Sequence, residues 1–108
     1  MQKALAFFFD AGSGVCLWSK NDAAREAFGY AIDHHALPLD AATCAELDRL
    51  IQWHDCSLDM DDPGRGSIWP AQEQARFDAA AQGALNSLRK QLAPPGWEIA
   101  DQRPAGRA

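Results

Sequence analysis

His54, Asp55 and Cys56 stand next to one another, and a base, a carboxylate and a thiol are the parts from which nucleophilic acyl-transfer sites are built. Adjacent residues on a helix point about 100° apart, so His54 and Cys56 diverge by roughly 160° and cannot act on each other. Cys16, Cys44, His34 and His35 supply further candidates elsewhere in the chain, and a pairing between distant members of the set stays open. A structural zinc site calls for Cys-x2-Cys or His-x3-His spacing, which the chain lacks. Asp59-Met60-Asp61-Asp62-Pro63-Gly64 has the acids and the glycine of a calcium loop at its first, third and sixth positions. Pro63 and Pro70 then occupy the fifth and twelfth positions, where oxygen ligands are required. Gly12-Ser13-Gly14 lacks the Gly-Lys-Ser/Thr ending of a phosphate loop and reads as a turn. No metal or cofactor is implied.

The strongest chemical signal is charge. From Asp33 to Asp62 there are eight acidic residues (Asp33, Asp40, Glu46, Asp48, Asp55, Asp59, Asp61, Asp62) against Arg49 alone, a local net charge of −7 in a chain of net charge −5. The acidity is therefore regional, which solubility does not require. Asp48, Asp55 and Asp59 are seven and four residues apart, so on a helix they fall within about 40° of one another with Gln52 between them. The stripe leads into Asp61 and Asp62, with Trp53 and Trp69 close in sequence. Like charges at this spacing repel, and acids near a helix C-terminus oppose its dipole. A solvated acidic face is one account; a surface for a cationic partner is the other. Clustered carboxylates steer a basic partner and pair with Arg, while a large aromatic supplies a desolvated anchor. The candidate partner-binding set is Asp48, Gln52, Trp53, Asp55, Asp59, Asp61, Asp62 and Trp69.

The elements that must position these residues follow from length and pattern. The 108 residues, 47% hydrophobic and 23% charged, suit one globular domain over residues 1–100 with a flexible tail at 101–108. Lys3–Phe9 and Val15–Trp18 read as strands around Asp10–Gly14, a hairpin whose Phe7, Phe8 and Phe9 put rings on both faces of a covered strand. Asn21 or Ser19 caps a helix over 22–28 with Gly29 at its end. Residues 30–39 read as a loop. Asp40 caps a second helix with Leu47, Leu50, Ile51, His54 and Leu58 on its buried side, and His54 reads as a core histidine. Residues 61–67 are turn chemistry. Pro70 opens a third helix with the stripe Phe77, Ala81, Ala84, Leu85, Leu88 and Leu92, stopped at Pro94-Pro95-Gly96. Trp97–Ile99 is a candidate last strand that pairs with the hairpin. The fold class is α+β: an N-terminal hairpin in a small antiparallel sheet packed against three helices.

No segment reaches the roughly 20 apolar residues of a membrane span, and three cysteines (Cys16, Cys44, Cys56) form no disulfide framework. These point to the cytoplasm. A pI near 4.9 disfavours nucleic acid and anionic membranes as partners.

The run Cys16-Leu17-Trp18-Ser19-Lys20-Asn21-Asp22 through Tyr30, with Leu37-Pro38-Leu39, Ser57-Leu58-Asp59, Trp69 and Arg76–Ala81, resembles a group of small acidic uncharacterised bacterial proteins over residues 5–99. In general character the chain is similar to the immunity proteins of contact-dependent growth inhibition and other polymorphic toxin systems. That resemblance implies a non-enzymatic protein that neutralises a cognate toxin by covering its active site, here a basic toxin of nuclease type. The alternative is a small enzyme or ligand-binding domain using its histidines and cysteines. Oligomeric state is left open.

Overall fold

The computed structural model describes residues 2–57 and 69–103. The chain folds as α+β, with a four-stranded sheet in the order β3-β2-β1-β4 packed against helices. β1 (Ala4–Phe7) and β2 (Leu17–Ser19) form the expected hairpin, Ala6 opposite Trp18 and Phe7 opposite Leu17. β1 is central, and Leu5, Ala6 and Phe7 are all buried. Side chains alternate across a strand, so Leu5 and Phe7 enter the core while Ala6 and Trp18 share the other face. There Phe8 stacks on Trp18 at 4.7 Å between ring centroids.

Three features correct the sequence reading. The sheet is mixed rather than antiparallel, because β4 (Glu98–Asp101) runs parallel to β1 with Ile99 opposite Leu5. β4 also begins one residue later and ends two residues later than the expected strand, and Gln102 and Arg103, assigned to the tail by composition, are bonded to the body. The Gln102 N–H donates to the Phe7 carbonyl at 3.0 Å, and Arg103 reaches Gln82 and the Asp78 carbonyl on the third helix. The supposed loop after Tyr30 contains β3 (Ala31–Ile32), paired with β2, and a single 3-10 turn, His34–Ala36.

The helices follow their local signals. α1 (Asp22–Phe28) is capped by the Asn21 side chain, which accepts the Ala24 N–H, and ends at Gly29 with φ 78°, a left-handed value that glycine takes without strain. α2 (Ala41–Asp55) is capped by Asp40, which accepts the Thr43 N–H. A hydrogen bond with the Thr43 side chain, then that from its N–H and one with Gln91, hold the Asp40 carboxyl below its ordinary pKa. Pro70 takes the N-cap position of α3 (Ala71–Gln91), where its missing N–H leaves nothing unsatisfied. Leu47, Leu50, Ile51, Phe77, Ala81, Ala84, Leu85, Leu88 and Leu92 meet Leu5, Phe7, Leu17, Ile32 and Ile99 in one core. Gln91 ties the start of α2 to the end of α3, accepting the Asp40 N–H at 2.8 Å and donating to Thr43 Oγ1 at 2.6 Å. The Arg89 guanidinium caps the β4 edge through the Ile99 carbonyl at 2.9 Å.

The turn from α3 into β4 depends on Gly96, at φ 79°, where an added Cβ would come within 2.9 Å of Gln2 Nε2. Gly96→Ala is expected to lower stability by about 1–2 kcal/mol, since strain at a left-handed residue adds to the displacement of Gln2. Thermal denaturation unchanged from the parent would refute that account of the turn.

Candidate functional site

α2 places Asp48, Gln52 and Asp55 on one side, as their spacing requires, with Gln52 exposed. The two carboxylates are not idle. Asp55 Oδ1 accepts the Gly12 N–H at 3.1 Å and so fastens the hairpin loop to the end of α2. Asp48 accepts from two imidazoles: His34 Nε2 lies 2.8 Å from Oδ1, and His35 Nε2 lies 3.0 Å from Oδ2. Partial burial pushes the Asp48 carboxyl upward, but the hydrogen bonds and charges of His35 and His34 outweigh it and hold the group below the usual carboxylate range.

His35 is bracketed on its other side by Asp33, whose Oδ1 lies 2.9 Å from Nδ1 and also accepts the His35 backbone N–H. The bond to Asp33, and then that to Asp48, raises the His35 pKa, while the backbone and side-chain bonds from His35 lower that of Asp33. A carboxylate at each ring nitrogen favours the charged form of His35, and a positive charge there offsets part of the formal negative charge of this side of α2. His34 is 2% exposed, and its ring lies 4.2 Å from that of His35. Donor atoms of Asp33, His34 and His35 fall within 4.8 Å of one another.

Sequence reasoning named His34 and His35 only as loose candidates and missed this grouping. The available signal was Asp33-His34-His35 as a contiguous triplet, a clearer pointer than the zinc-finger spacings tested.

The aromatic members of the expected set gather with Phe77 rather than with Asp48 and Asp55. Trp53 is half-buried, its Nε1–H donating to Glu73 Oε2 at 2.7 Å and its ring 5.2 Å beneath the Arg49 guanidinium, which also binds Glu46. Glu73 is held below its usual pKa by Arg76, then by Trp53. Trp69 packs 6.0 Å from Trp53 and 5.1 Å from Phe77. His54 stacks on Phe9 at 5.4 Å within the same group. Asp59, Asp61 and Asp62, like Leu58, lie outside the described residues.

The thiols are dispersed. Cys16 is fully buried, and burial, then the charge of Asp48, pushes its pKa up to about 12. Cys44 is directed at the His34 carbonyl rather than its ring. Cys56 is exposed at the α2 C-cap. Buried thiols of raised pKa are poor nucleophiles, which removes Cys16 as the thiol of an acyl-transfer pair. No described helix is long and apolar enough to cross a membrane.

Compared with known families, residues 8–100 match a family model described as Serratia CdiI immunity protein-like. The match runs from the residue after β1 into β4 and takes in all of α2. No match was found among curated proteins.

Proposed function

Because the chain belongs to the Serratia CdiI immunity protein-like family, we propose that it binds and neutralises one cognate toxin, a basic protein of nuclease type, by covering that toxin's active site from the acidic side of α2. Membership of the family carries the immunity role; the placement of charge on α2 supports the choice of a basic partner. Carboxylates of Asp48 and Asp55, together with Asp59, Asp61 and Asp62, stand in for the phosphates of a nucleic-acid substrate at a cationic site. Trp53, stacked beneath Arg49, is the aromatic anchor that such interfaces desolvate. The protein acts in the cytoplasm by occupancy, without turnover.

The test is protection. Cells making the cognate toxin domain should survive when the chain is co-expressed, and the two proteins should purify as a stable complex. Failure of both would overturn the immunity role. A toxin that is neutralised yet leaves DNA and RNA intact would overturn its assignment as a nuclease.

A further inference from the structure

From the Asp33, His34, His35 and Asp48 cluster, we infer that the chain holds a first-row divalent cation of zinc's kind, bound by the Asp33 carboxylate and the Nδ1 atoms of His34 and His35, with Asp48 orienting both rings from behind. An ionised carboxylate can only accept, so the two Nε2 atoms facing Asp48, at 2.8 Å and 3.0 Å, carry the ring hydrogens. This fixes the tautomer and leaves Nδ1 of each ring as a lone pair whenever the ring is neutral. The carboxylate–histidine arrangement is how metal-binding imidazoles are held in other proteins.

Two acceptors then confront each other, for His35 Nδ1 lies 2.9 Å from Asp33 Oδ1. Something positive must lie between them, either a proton or a metal ion. A proton satisfies His35 but does nothing for His34. Its Nδ1 is buried without a hydrogen bond, on a residue 2% exposed, and an unmade bond at such an atom carries a desolvation penalty. One cation answers both needs.

The dimensions are compatible. Donors bound at 2.0–2.2 Å in a tetrahedral zinc site are about 3.3 Å apart, and one donor atom from each of Asp33, His34 and His35 already lies within 4.8 Å of the others, which puts the cluster at the scale of such a site. His34 is buried, whereas the side chains of His35 and Asp33 are 52% and 70% exposed, so solvent-side adjustment of the cluster falls to them. Imidazole with carboxylate suits zinc and its neighbours better than calcium or magnesium, which prefer oxygen alone. Three protein ligands leave a fourth position for water or for a donor from a partner.

The experiment uses Zn²⁺ in calorimetric titration of the metal-free chain, and Co²⁺ as a probe whose visible absorption reports nitrogen and oxygen ligation. One equivalent is expected to bind. His35→Gln, on the exposed ring, should weaken binding at least tenfold, as should His34→Gln; Asp48→Asn should weaken it about 10–100-fold, the usual effect of removing an orienting carboxylate. Cys56→Ser should bind as the parent does. Because His35 is half-exposed, His35→Gln keeps the test valid even if His34→Gln does not fold. No uptake by the parent, or equal uptake by parent and His35→Gln, would overturn the site. The outcome is independent of toxin binding.

Discussion

Gln52→Lys, combined with Asp59→Lys and Asp61→Lys, is expected to slow association with the toxin about 10–100-fold at low salt and to flatten its salt dependence, with little change in dissociation or thermal stability. Steering by a charged surface alters on-rates over this range, and added salt suppresses the effect. Gln52 is the informative position. It lies exposed between Asp48 and Asp55, so a lysine there reverses the local field without breaking a described contact. Asp48 and Asp55 are poorer probes, since removing Asp48 releases two imidazoles and removing Asp55 releases the Gly12 loop. Stopped-flow association at several ionic strengths makes the measurement. Unchanged rates across the series would sink the acidic surface as the docking face, while leaving the immunity role itself in place.

The contrast between Gln52 and its neighbours shows what the sequence can and cannot convey. Spacing alone placed Asp48, Gln52 and Asp55 on one side of a helix, because the period of an α-helix is a local property. The apolar stripe from Phe77 to Leu92 was readable for the same reason, as were the caps at Asn21 and Asp40, each a side chain three residues from the N–H it accepts. The employment of Asp48 by His34 and His35 was not readable, since it depends on how residues 33–36 return against α2. β3 is only two residues long and exists through pairing of Ile32 with Leu17, so no periodicity announces it. The parallel pairing of β4 with β1 joins residues more than ninety positions apart, and Glu98-Ile99-Ala100-Asp101 carries no mark of direction. Local chemistry was legible in the sequence, as was the return of a last strand to the hairpin; the direction of that strand and the partners of Asp48 were not.

Phe77→Ala is expected to destabilise the protein by about 3–5 kcal/mol, the range for emptying a buried aromatic site. The reason lies in its position as well as its size. Phe77 is 2% exposed, and its ring meets Phe9 from the hairpin at 5.0 Å, Trp53 and His54 from α2 at 5.2 and 5.7 Å, and Trp69 at 5.1 Å. Truncation removes edge-to-face contacts with Phe9 and Trp53, each worth about 0.5–1.5 kcal/mol beyond area burial, and leaves a cavity that four rings from three parts of the chain cannot all collapse into. Domains of this size are stable by about 5–15 kcal/mol, so the loss consumes a large part of the total and should lower the melting temperature by roughly 15 °C or more. Urea unfolding gives the free energy directly, and a loss below 1 kcal/mol would show that Phe77 is not the hub its contacts describe. The same variant separates folding from recognition. Phe77 lies behind Trp53 rather than on the acidic surface, so below its unfolding transition the variant should associate with the toxin at the parent rate. A slower rate in that folded material would mean that the end of α2, with Gln52 and Asp55, needs this aromatic support to present its charge.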